Sequence, residues 1–138
     1  MYNTTIDLNK NYNNIESLEN ARYINIQTYK KNMKAISTPV WFIIKDDKIF
    51  FRTSSNSGKI KRIRTNNRVK FAKCDIRGKK KGYWHEGIAK IEKDLDNSTI
   101  DALNRKYGLS SLLMKVFYKL KKIDIIYVSI ELDKYKSP

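Results

Sequence analysis

Hydrophobic and polar positions alternate from Arg22 onward. Ile24, Ile26 and Thr28 fall on one side, and Tyr23, Asn25, Gln27 and Tyr29 on the other, which predicts a strand. Lys31-Asn32-Met33 reads as a hairpin turn. Lys34–Lys45, with Ile36, Val40, Trp41, Phe42, Ile43 and Ile44, predicts a second strand. Pro39 lies inside it and makes that stretch an edge or a bulge. After a turn at Asp46-Asp47, Lys48–Thr53 predicts a third strand through Ile49, Phe50 and Phe51.

The period then shifts. Ser54–Gly58 is small and polar, as at a helix start, and Ile60 and Ile63 give one apolar edge to a short basic helix ended by Asn66-Asn67. Arg68–Ile76 returns to strand, with Val69 and Phe71 opposed to Ala72, Cys74 and Ile76. A basic loop, Arg77–Gly82, leads to a strand over Tyr83–Lys93, in which Gly87 predicts a bulge. Ser98-Thr99-Ile100-Asp101 has the form of a capping box, opening a helix through Tyr107 that Gly108 can stop. Ser110–Leu120 predicts a second helix with Leu113, Val116, Phe117 and Leu120 as its apolar stripe, and Ile123–Leu132 a last strand. Residues 1–14 read as a loose polar tail, and Ile15–Asn20 as one helical turn. The result is a mostly β single domain, 1–138, of about six strands with inserted helices. Short antiparallel strands joined by tight turns favour closure into a barrel.

Composition narrows the chemistry. A length of 138 residues fits one domain able to bury a core, and 41% hydrophobic and 12% aromatic residues support folding. One cysteine, Cys74, forms no intrachain disulfide, and one histidine, His85, cannot build a zinc site. No apolar run spans a bilayer and no signal-peptide core is present, so the expected location is cytoplasmic. The net charge of +15 attracts anions without choosing among nucleic acid, an anionic membrane and a polyanionic coenzyme.

One segment concentrates that charge. Arg52-Thr53-Ser54-Ser55-Asn56-Ser57-Gly58-Lys59-Ile60-Lys61-Arg62 ends a strand, supplies hydroxyls and starts a helix bearing cations. Free N–H groups at a helix start suit a phosphate, and Lys59 and Arg62 can share a face. The same residues read equally as a solvated basic helix, and the spacing is not that of a Walker loop. Thr38-Pro39-Val40-Trp41-Phe42 offers freed backbone groups to a planar ring, or is an edge strand with a buried Trp41. Cys74 reads as a small core residue and His85 as structural or surface. No nucleophile–base pair stands out, so any catalysis would be carried by a cofactor.

These segments, with Cys74-Asp75-Ile76-Arg77-Gly78, Glu86-Gly87-Ile88-Ala89 and Lys106-Tyr107-Gly108, occur in an order that resembles the pyridoxamine 5′-phosphate oxidase-like split-barrel superfamily. The nearest branch is that of deazaflavin (coenzyme F-420)-dependent oxidoreductases, and the likeness runs from about Tyr23 to Gly108. The resemblance implies a Greek-key-like split β-barrel that dimerises and binds deazaflavin or FMN between subunits, moving a hydride to or from an organic substrate. By that analogy Thr38, Pro39, Val40 and Trp41 border the ring system. Arg52, Thr53, Ser57, Gly58, Lys59, Lys61 and Arg62 surround the phosphate, and Trp84 reaches the partner's site. Met33 and the lysine-rich Arg77–Gly82 depart from the relatives, and the chain lacks the C-terminal part of true pyridoxamine-phosphate oxidases. The alternatives are a non-catalytic flavin, deazaflavin or haem carrier and, behind it, a basic nucleic-acid-binding barrel.

Overall fold

In the computed structural model, Leu18 and residues 20–132 are described; the tail at 1–14 and most of the turn at Ile15–Asn20 lie outside them. The strands are β1 (Tyr23–Tyr29), β2 (Ala35–Val40), β3 (Phe42–Lys45), β4 (Lys48–Ser54), β5 (Arg68–Cys74), β6 (His85–Glu92) and β7 (Ile125–Leu132). Helix α1 (Gly58–Thr65) follows β4, and α2 (Asn97–Leu120) follows β6. All strand pairs are antiparallel, in the order β2-β1-β5-β6-β7-β4-β3.

That order explains why the expected Lys34–Lys45 strand is two strands. β2 pairs with β1 and β3 pairs with β4, so consecutive strands lie at opposite ends of the sheet, separated by Trp41 alone. Two residues span at most about 7 Å. The sheet must therefore curl until its ends meet at Trp41, which is a barrel. Pro39 sits on terminal strand β2 opposite Asn25, where its missing N–H costs no internal ladder bond.

Alternation sorts the side chains. Ile24, Ile26, Phe42, Ile49, Phe51, Val69, Phe71, Val128 and Ile130 are buried in one cluster with Ile60 and Ile63 of α1. The opposite face of β3 and β4 contributes Ile43 and Phe50 to a second cluster with Leu103 and Tyr107 of α2. Strands β3 and β4 are therefore covered on both faces. The Asp46-Asp47 turn has positive φ at both residues, as a two-residue hairpin requires.

Two local expectations need correction. Gly87 is not a bulge: it pairs in unbroken register with Val69 and with Leu132. Glycine is required because a Cβ would lie 2.6 Å from Ile130 Cγ2 and 2.7 Å from the Glu131 carbonyl oxygen. Ser98 does not open a capping box. The helix begins at Asn97 after Asp96, whose carboxylate accepts from the Ser98 and Thr99 hydroxyls and from Lys45. Gly108 interrupts the helix as expected, at φ 52° and ψ −126°, and the second helix continues from its far side to Leu120.

Candidate functional site

The break between β2 and β3 is held from outside the barrel. The Tyr107 hydroxyl accepts from the Phe42 N–H at 2.7 Å and lies 2.9 Å from the Arg22 carbonyl oxygen and 3.0 Å from that of Phe42, to either of which it can donate. Lys106 Nζ donates to the same Phe42 carbonyl at 2.8 Å. The Tyr107 ring stacks on Trp41 at 4.6 Å and 10°, with the Arg22 guanidinium 5.1 Å from its centroid. This clasp fixes one face of Trp41. Burial, outweighing the Phe42 hydrogen bond and the Arg22 charge, pushes the Tyr107 phenol up to about 12.

Beside the clasp lies an open cleft of about 410 Å³, within the range of small-molecule sites. Pro39, Val40, Trp41, Arg52, Thr53 and Lys59 line it; the family resemblance assigns these residues to the cofactor. Tyr23, Ile76, Met114 and Tyr118 complete it. Nothing in the local sequence marks those four, because Tyr23 of β1, Ile76 beyond β5, and Met114 and Tyr118 of α2 meet only through the tertiary fold.

At one end of the cleft, α1 begins. Ser57 is its N-cap, accepting from the Lys59 N–H at 3.1 Å. Arg62 folds back over this turn. Its Nε donates to Thr28 Oγ1 at 2.6 Å, and a Cβ at residue 58 would lie 2.7 Å from its Nη1, so Gly58 makes room for the guanidinium. Lys59 is half-buried, and its ammonium is held below its usual pKa first by burial and then by Arg62. Among the described residues no carboxylate pairs with Lys59. A helix start, a guanidinium and a desolvated ammonium are thus neighbours, with Lys59 lining the cleft and Ser57, Gly58 and Arg62 beside it rather than in its lining. That donor set fits a phosphate.

The remaining expected residues are distributed differently. Arg52 is buried and commits its guanidinium to α2, donating to Asn104 Oδ1 at 2.7 Å and to Ser111 Oγ, while its Nε has no protein partner. Thr38 is half-buried, with its hydroxyl oxygen also unpartnered. Lys61 is exposed and does not line the cleft. Trp84 lies outside the cleft with Lys80 Nζ 5.9 Å from its ring centroid. His85 stacks on Phe71 at 5.3 Å, and burial lowers its pKa. Cys74 is buried and its thiol is pushed up to about 11, first by burial and then by Asp75, which keeps it protonated. Among the described residues no cluster of His, Cys, Asp or Glu is arranged to hold a metal.

No family model and no curated protein matches this chain. Solved structures do. The heme storage protein HutZ of Vibrio cholerae superposes with a TM-score of 0.64 at 10% identity, over 86% of this chain and 87% of its own. A candidate pyridoxamine 5′-phosphate oxidase of Listeria innocua gives 0.57 at 11% identity, over 88% and 93%. An F420 reductase gives 0.55 at 15% identity, over 86% and 92%. With its sheet closed at Trp41 and its helices placed as described, this chain has the split β-barrel fold of pyridoxamine 5′-phosphate oxidase-like proteins.

Proposed function

We propose that the cleft binds a flavin or deazaflavin and that the protein is an oxidoreductase acting on a small organic substrate. The carrying observation is Lys59: a half-buried ammonium at a helix start, beside Arg62, with no carboxylate partner among the described residues. Such a cation is stabilised by an anion at that position. Trp41, Tyr23, Met114 and Tyr118, which also line the cleft, are aromatic or apolar and suit a planar ring. When bound, the cofactor supplies hydride transfer. The chain's residues hold its phosphate, limit water at the ring and orient it along Pro39–Trp41.

Deazaflavin is favoured over FMN by the Arg77–Lys81 loop. Gly78 abuts the cleft residue Pro39 and its carbonyl accepts from Asn25 Nδ2 at 2.6 Å, so the loop that carries the exposed cations Arg77, Lys79, Lys80 and Lys81 is tied to β1 and β2. A polyanionic tail would find charge there. We further propose a homodimer, because the cleft is open on one protomer and a large coenzyme needs a second wall. Sedimentation showing only monomer with cofactor tightly bound would count against that assembly.

The carrier reading differs in the ligand's spectrum. A haem would look for an axial ligand, and the histidine available, His85, is stacked on Phe71 outside the cleft. Absorbance after incubation with deazaflavin, FMN and haem separates the three. Lys59→Ala should weaken deazaflavin or FMN binding by roughly 10- to 100-fold, the worth of one charge-assisted hydrogen bond. Lys122→Ala, at the far end of α2, should leave it almost unchanged. Equal small losses at both sites would mean that only overall charge matters, and the phosphate assignment would fall.

A further inference from the structure

The second half of α2 is built inside out. Leu109, Leu112, Leu113, Val116, Phe117 and Leu120 recur at three- and four-residue spacing and are each between 49% and 77% exposed. The side toward the barrel instead carries Ser111, buried against Arg52, with Met114 and Tyr118 on the cleft. A helix of a water-facing domain places these classes the other way round. Six large apolar side chains in one outward stripe exceed the scattered exposure normal for a surface and mark a docking face.

We propose that this stripe docks on an anionic lipid surface. From Arg105 to Lys122 the chain has no Asp or Glu and carries Arg105, Lys106, Lys115, Lys119, Lys121 and Lys122. Lys119, Lys121 and Lys122 are exposed, and Lys121 Nζ lies 5.9 Å from the ring centroid of Phe117 in the stripe. A helix with an outward Leu/Phe face bordered by lysines lies in the plane of a membrane interface, with the lysines at headgroup level. The overall charge of +15 adds long-range attraction to such a surface. Two copies pressed together through this stripe would instead bring lysines toward lysines. No helix among the described residues is long and apolar enough to cross a membrane, and the proposed contact is one of a helix lying along the surface. Because the stripe lies opposite Met114 and Tyr118, docking leaves the cleft wall of α2 facing the barrel.

The test is co-sedimentation of the intact protein with vesicles of phosphatidylcholine alone or mixed with phosphatidylserine. Binding to the mixed vesicles, weaker on neutral ones and reduced by added salt, is expected. Phe117→Glu should lower it by roughly tenfold or more through loss of apolar insertion. The pair Lys119→Glu and Lys121→Glu, which leaves the stripe intact, should abolish the preference for the anionic lipid by a similar factor of about ten or more. Unchanged circular dichroism and unfolding midpoint certify each variant as folded. If Phe117→Glu does not fold, the double lysine variant decides alone. Absence of vesicle binding by the folded wild type overturns the proposal, as does binding indifferent to both changes. Self-association abolished by Phe117→Glu, without vesicle binding, would assign the face to a second copy and overturn it as well.

Discussion

The two halves of α2 follow the same helical period and face opposite ways. Before Gly108, Leu103 and Tyr107 are buried against Ile43 and Phe50. After it, the leucines point outward and a serine points in. The break at Gly108, with its φ of 52°, reorients the helix between them. Periodicity therefore identifies a helix with an apolar face but does not say what that face meets. The first half is held by the barrel; the second is attached to it mainly through the Arg52–Asn104–Ser111 network and the cleft wall.

Substitutions can break this contrast. The largest effect is expected at Tyr107. Removing its ring and hydroxyl in Tyr107→Ala deletes the Trp41 stack and leaves the Phe42 N–H unpaired, a loss of about 3–5 kcal/mol in urea unfolding. Its titration gives a sharper signature. In the unfolded chain the phenol ionises near 10.0, whereas the folded protein keeps it protonated to about 12. Stability from this group is thus complete below pH 10 and lost as pH rises toward 12. Tyr107→Phe should flatten that fall relative to wild type, and an unchanged pH profile would remove Tyr107 from the account.

Next comes Leu103→Ala, fully buried in the first half and expected to cost about 2–5 kcal/mol. Gly108→Ala tests the joint itself. A Cβ there meets nothing within 4 Å, so a loss of about 1–3 kcal/mol would come from backbone strain alone. The smallest effect belongs to Leu113→Ala, exposed in the second half, at under about 0.5 kcal/mol. Equal costs at Leu103 and Leu113, measured by the same unfolding assay without lipid, would mean that the halves do not differ as described.

Local signals were legible where the chain's own spacing decides the structure. Ile24, Ile26 and Thr28 are fully buried, as alternation implies, and Ser57 caps the basic helix that Ile60 and Ile63 anchor. The division at Trp41 was not legible, because apolar residues run through it and the change is one of pairing partner. Gly87 misled for a related reason: a glycine in a strand signals either a bulge or a close approach, and Ile130, forty-three positions away, makes it the latter. Of the residues that the family likeness assigns to a cofactor, Pro39, Val40, Trp41, Arg52, Thr53 and Lys59 line the cleft, while Thr38, Ser57, Gly58, Lys61 and Arg62 do not. Tyr23, Ile76, Met114 and Tyr118 were not foreseen, since their contribution depends on where α2 and the strand ends come to rest. Arg52 shows the limit of composition: its cation belongs to the phosphate-like segment in sequence but is spent on Asn104 and Ser111 in the fold.

The position of β7 has a consequence for synthesis of the chain. The last strand described lies between β6 and β4, pairing Lys48 with Glu131 and Glu92 with Tyr127. Until it emerges from the ribosome, the β3–β4 hairpin has no ladder to the sheet built on β1, β5 and β6, and both flanking strands present open edges. Hairpins can form in turn as translation proceeds, but ring closure must wait until β7 is available to pair with both neighbours. During that interval Phe51 and Ile49 lack the Val128 and Ile130 side chains that pair with them in the finished protein, which leaves apolar surface and open strand edges exposed to association.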